Sequence, residues 1–161
     1  MKKRYFVIIA VLVLALALGG ALFLKPAPAD YASVYITALD SWFTIDPGLH
    51  AGMKYLAIDM DTLKYADDED KRLIAEHYEQ KFNIEVKDAS FDDLEKQGLV
   101  INAESIDGIL LSVDKVKANH FFITVEGEKF RSGDGANGIK SVLKRSGDTW
   151  KLKSSEMIWI S

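Results

Sequence analysis

The chain contains no cysteine in 161 residues. That excludes disulfides, thiolate metal sites and a cysteine nucleophile. It also excludes a lipid anchor attached to a cysteine behind a leader. Histidine occurs three times, at 50, 77 and 120, and these positions match no ligand spacing on a helix or hairpin. No serine stands in a Gly-x-Ser-x-Gly elbow. No internal repeat and no low-complexity tract is present. A catalytic constellation, a metal centre and a cofactor motif are therefore all missing from the pattern.

Basic excess is lacking too. From Asp30 onward the chain has 16 basic and 24 acidic residues, a net charge of −8. Nucleic-acid binding needs a surplus of lysine and arginine to neutralise phosphates, so that class is excluded. An anionic domain is also repelled by an anionic lipid or wall surface.

What is present begins with a leader. Lys2, Lys3 and Arg4 precede an uncharged run from Tyr5 to Leu24. Twenty residues of helix cover roughly 30 Å, the thickness of a bilayer's hydrocarbon core. The three cations hold the N-terminus in the cytoplasm, so the chain beyond Lys25 is expected outside it. Two readings stand: an uncleaved single-pass anchor over 1–24, or a signal peptide cut near Ala29 after Ala27-Pro28-Ala29. Either way the membrane is a partner through this segment. Residues 25–29 form a short stiff linker, because proline fixes φ and disfavours helix before it. Residues 30–161 suffice for one domain with its own core and not for two.

The pattern predicts helices up to about Gly98 and strands from about Ser105. Asp30 caps a first helix carrying Tyr31, Val34, Tyr35, Ala38, Leu39 and Trp42 at spacings of three and four. Asp46-Pro47 predicts the start of a second, with Leu49, Met53, Leu56, Met60 and Leu63 on one face. Asp67 to Asp70 open a third, with Leu73, Ile74, His77, Tyr78 and Phe82 as its stripe. This acidic run lacks the glycine bend of a calcium loop, and capping accounts for it. Ile84 to Val86 reads as a short strand, and Ser90 caps a small helix that Gly98 ends. Alternation follows through Ile109, Leu111 and Val113, then through Phe121, Ile123 and Val125. Ser132 to Gly138 reads as a glycine-rich loop and Ile139 to Arg145 as a strand. A tight turn at Ser146-Gly147-Asp148 leads to a closing strand with Trp150.

Helices followed by strands predict an α+β fold, with N-terminal helices packed on a curved antiparallel sheet. The element order and the closing hairpin with Trp150 resemble the nuclear-transport-factor-2-like (cystatin-like) superfamily over about residues 30–161. That resemblance implies a cone-like fold with a pocket between helices and sheet. Lys129 to Gly138 and Met157 to Ser161 also resemble small exported proteins of Gram-positive bacteria that have no assigned activity.

Six residues are candidate ligand-binding positions. Asp59 lies near the apolar face of the second predicted helix, while Asp61 points about 200° away, so the two form no dyad. His77 sits in an apolar stripe, as a boundary residue or a pocket residue. His120 shares a strand face with Phe122 and Thr124 and is placed to line a pocket with Tyr35, Tyr55 or Tyr78. Arg131, Ser132 and Asp134 stand at the glycine-rich loop, which is either an anion nest or a wide hairpin loop. It is no P-loop, since no lysine followed by serine or threonine comes after it. His50 is expected at the surface. The tryptophans and phenylalanines are expected in the core, with Trp159 or Phe130 as a possible exposed contact.

The expected function is an extracytoplasmic binding or interaction module, anchored or secreted, that takes a protein, peptide or small ligand. Two alternatives stand beside it. One is an accessory subunit of an envelope or transporter complex. The other is a small acid–base enzyme of isomerase or dehydratase type that uses a pocket aspartate or histidine.

Overall fold

The computed structural model describes residues 30–102 and 104–161. The expected leader and linker lie outside them. Among the described residues no helix is long and apolar enough to cross a membrane.

Helix α1 spans Tyr31–Thr44, and the Asp30 carboxylate accepts the Ser33 N–H at 3.1 Å. Its buried stripe runs from Ala32 through Tyr35, Leu39 and Trp42 to Phe43. A buried 3.6-residue period of this kind ties a helix to a sheet through one face. Helix α2 spans Asp68–Phe82 and opens with a reciprocal capping box between Asp67 and Asp70. It closes at Asn83, whose φ of 53° is the left-handed stop expected there. Asp70 also accepts the Ala32 N–H at 3.1 Å, which locks the starts of the two helices together. Helix α3 is one short segment, Phe91–Lys96, capped by the Ser90–Asp93 box.

Seven strands form one sheet: β1 (Tyr55–Ile58), β2 (Glu85–Asp88), β3 (Val100–Ile101), β4 (Ser105–Ala118), β5 (Phe122–Ser132), β6 (Gly135–Ser146) and β7 (Thr149–Ile160). Their order is β2-β1-β4-β5-β6-β7, with β3 paired to β4 beside that path. Strands β4 to β7 make an antiparallel meander. Strand β1, however, runs parallel to both β2 and β4. The fold is therefore α+β, as expected, but the sheet is open and mixed rather than antiparallel.

Strand β1 also corrects the expectation of a second helix. Leu49, Met53, Leu56, Met60 and Leu63 do recur at helical spacing, yet residues 47–52 are turns and Met60–Thr62 is a single 3-10 turn. Tyr55, Leu56, Ala57 and Ile58 are all buried, two toward each side of the sheet. A parallel strand covered on both faces reads as a continuous apolar run, which periodicity does not separate from a buried helix.

The helix face of the sheet carries the larger core. Trp42, Tyr35 and Leu39 of α1 pack with Ile74 and Tyr78 of α2 onto Leu56, Ile109, Leu111, Ile123, Val125 and Ile139. That interior is filled by side chains, aromatic ones prominent. The opposite face holds a smaller cluster in which Tyr55, Ala57, Ile106 and Leu110 pack with Leu94 of α3. Register shifts within the β4–β5, β5–β6 and β6–β7 ladders mark bulges, which bend and twist the strands locally.

Candidate binding cleft

The second face of the sheet carries an open cleft of about 540 Å³, lined by Asp59, Phe91, Glu104, Leu110, Ser112, Glu128, Phe130 and Gly133. Three elements make its floor. In the β4–β5 ladder Leu110 stands opposite Phe130 and Ser112 opposite Glu128, so all four project to the same side. Phe91, at the start of α3, meets Phe130 edge-to-face with centroids 5.4 Å apart. An edge-to-face pair of this kind fixes the angle of both rings.

Asp59 follows the last residue of β1. Its N–H donates to Leu111 O at 3.0 Å, and its carbonyl accepts both the N–H and the hydroxyl of Thr62. The Thr62 hydroxyl in turn accepts the Val113 N–H at 3.0 Å. The 3-10 turn is thus stitched to β4, which holds the aspartate at the wall of the cleft. Glu104 approaches from the segment before β4. A side chain at Gly133 would stand 3.0 Å from the Glu104 carboxylate, so glycine there keeps this rim clear.

The electrostatics are one-sided. Burial pushes the Asp59 carboxyl above the ordinary aspartate range, helped by the charges of Asp61, Asp88 and Asp93 and opposed by the Asp61 N–H. Burial, with Asp114 adding repulsion, does the same to Glu128. Among the described residues, neither Asp59, Glu104 nor Glu128 forms an ion pair with a lysine or arginine. No group of three or more histidines, aspartates or glutamates is arranged to hold a metal ion among these residues.

Of the six positions singled out from the sequence, Asp59 lies in this cleft. Ser132 and Asp134 line an adjoining hollow that shares Glu104 and Gly133 with it. They are not part of a long loop. Strand β5 runs to Ser132, β6 resumes at Gly135, and the Ser132 hydroxyl donates to Asp134 at 2.9 Å across a tight turn. The span 132–138 is therefore a tight turn followed by strand and not the expected loop. Gly138 serves another purpose: it lies under Trp159, whose indole would stand 2.0 Å from any Cβ there.

The other three are dispersed. Arg131 points to the opposite side of the hairpin, where its guanidinium donates to Leu49 O and Ala51 O at 2.8 Å each. His77 is half-buried on α2 and shares Asp40 of α1 with Lys81, at 3.2 and 2.8 Å. His120 is exposed in the β4–β5 turn, edge-on to Phe121. His50, expected outside, is half-buried against the Phe43 ring.

Glu104 and Glu128 escaped the sequence reading. The alternation through β5 could have placed Glu128 on the same side as Phe130. What periodicity does not give is that this side, facing away from α1 and α2, holds the open space. The chain matches no protein-family model, no curated protein and no solved structure.

Proposed function

We propose that this chain is a binding module whose ligand seat is the cleft beside β4 and β5, and that its ligand joins an apolar body to a positive charge. The observation that carries this reading is the set of three carboxylates without cationic partners on the walls of a cleft floored by Leu110, Phe91 and Phe130. Asp59 and Glu128 are partly desolvated and each feels further carboxylates nearby, which is unfavourable for their charged forms, and a cation relieves it. The apolar floor supplies non-directional burial while the carboxylates set the sign of the charge. A lysine or arginine side chain of a peptide, or a small aryl- or alkylamine, has this chemistry.

A binding role fits the expected place of the domain beyond the membrane, whether anchored or released. The space between helices and sheet is packed with Trp42, Tyr35, Tyr78 and Phe43, so an isomerase-type pocket there gains no support.

The test is a titration of the full chain, followed by NMR or calorimetry, with three probes of one shape: phenethylammonium, neutral phenethyl alcohol and anionic phenylacetate. The ammonium is expected to bind best, and the double variant Asp59→Asn, Glu128→Gln to lose that preference. Equal binding of the anion, or binding unchanged in the variant, overturns the reading.

A further inference from the structure

Strand β7 is an edge of the sheet and, among the described residues, pairs on one side alone, with β6. It is twelve residues long. Leu152, Met157, Ile158, Trp159 and Ile160 are all exposed, and the last four are consecutive. A long edge with a continuous apolar run is a template for another strand unless charge, proline or a bulge blocks it. Charge and bulge are both present: Lys151 and Lys153 stand in the first half and Glu156 in the second, and the ladder with β6 skips Lys153 and Ile158, which leaves Ser154 to Met157 as the regular stretch between two bulges.

We propose that β7 pairs antiparallel with β7 of a second copy of this chain, extending the sheet across a two-fold axis near Ser154 and Ser155. The charge pattern selects both partner and direction. In a parallel pair, Lys151, Lys153 and Glu156 would each face their own copies, and like charges directly opposite destabilise a ladder. In the antiparallel pair the lysine-bearing half of one copy lies along the half holding Glu156 and the apolar run of the other. Leu152 then meets the Met157–Ile158 stretch. The arrangement is isologous and closes on itself, so it ends at a dimer. The overall charge favours this edge as well. The domain from Asp30 carries −8, which repels a second copy, yet β7 itself holds two lysines and one glutamate. The small side chains of Ser154 and Ser155 let the backbones approach at the axis. Ser155 is held in place by Ser41 and Ser141, both at 3.0 Å, so this part of the edge is pre-ordered by α1 and β6. Strand pairing alone covers less than the roughly 1,600 Å² of a standard interface, so the dimer is a weak one.

The absence of native cysteine makes cross-linking clean. Single variants Lys151→Cys, Ser154→Cys and Ile160→Cys, with Glu85→Cys on the far edge as control, are made in the full chain. They are oxidised in detergent micelles and in lipid nanodiscs. Disulfide dimer is expected at least five-fold above control at Ser154 and near control level at Lys151 and Ile160. Adding Ile158→Lys, an exposed position, is expected to return Ser154→Cys to the control level with the circular dichroism spectrum unchanged. Equal cross-linking at all three positions indicates a parallel or non-specific contact, and cross-linking nowhere above control indicates a monomer whose edge is open to a foreign strand. Either result overturns the proposal.

Discussion

The Lys129 ammonium donates to the Trp42 carbonyl at 3.1 Å, joining the middle of the sheet to the last turn of helix α1. The same ammonium also reaches the carbonyls of Ile45 and Asp46. Helix ends leave carbonyls without intrahelical partners, and a cation there answers both the missing bonds and the dipole. Lys129 is fully buried, and burial pushes its ammonium below the usual lysine value, with Asp46 pulling the other way.

Lys129→Met is therefore expected to destabilise the fold by about 3 kcal/mol, because the Ile45 carbonyl loses its donor and those of Trp42 and Asp46 keep only the N–H groups of Ile45 and Leu49, in a place water reaches poorly. Urea unfolding measures it. The sign of the pH effect follows from the same group. A depressed folded value means the unfolded chain holds the proton more tightly. Stability of the parent then rises with pH between that depressed value and the ordinary 10.5. The variant lacks this alkaline rise, and a parallel response in both proteins would contradict the assignment.

The cleft carboxylates act in the opposite sense. Asp59 and Glu128 have folded values raised above the ordinary 3.8 and 4.5. Their protonated forms favour the folded state, a contribution fully present below the ordinary values and lost as pH climbs through the raised ones. Glu128→Gln is expected to leave acid stability unchanged and to raise stability slightly at pH 7. Binding of phenethylammonium is expected to tighten across the same window as the carboxylates ionise. Binding that weakens with rising pH there would exclude these groups as the recognition element.

Gly127 tests the packing of Trp42 beneath the sheet. A Cβ at this position would lie 2.1 Å from the Ser112 carbonyl and 2.7 Å from the Trp42 ring. The first neighbour is backbone of the adjacent strand and has little room to yield. Gly127→Ala is expected to cost about 3 kcal/mol, at the upper end for overpacking. A thermal midpoint within error of the parent would show that the ladder shifts freely there.

Ser141 is the polar counterpart. Its hydroxyl accepts the Trp42 indole N–H at 3.0 Å and lies 2.9 Å from the Ser41 hydroxyl, both buried. Ser141→Ala removes little volume but strands the indole donor. The expected loss is about 1–3 kcal/mol, the cost of an unmet buried donor. The double variant with Trp42→Phe should lose less than the sum of the single changes, which a double-mutant cycle reads directly.

Much of the architecture was written in short-range signals. Asp30, Asp67 and Ser90 announced three helices because a cap and an amphipathic period are local properties. The Gly147 turn, at φ 64°, joined β6 to β7 for the same reason. The failures were non-local. Tyr55 to Ile58 carries four apolar residues between turns, and only its pairing with Val86 and Ile109, far along the chain, makes it a strand. The glycines after Asp134 resembled a loop because nothing in the sequence shows that Trp159 crosses over Gly138. Asp59 was found for its apolar neighbours, yet its actual setting depends on which side of the sheet α3 covers. That choice is made by packing.

The parallel placement of β1 also orders events in time. Strands β4 to β7 meet through short turns, so their ladders close small loops. Strand β1 reaches β4 only after α2, β2 and α3 have been spanned, and pairings of such separation form slowly. The meander is thus expected to form early and β1 to join it late. Asp59, at the end of β1, then completes the cleft last. Pulse-labelled hydrogen exchange should protect Val125 and Ile139 before Leu56 and Ile58. A refolding chain should acquire the proposed affinity for phenethylammonium in the final phase, after most of its strand signal has returned.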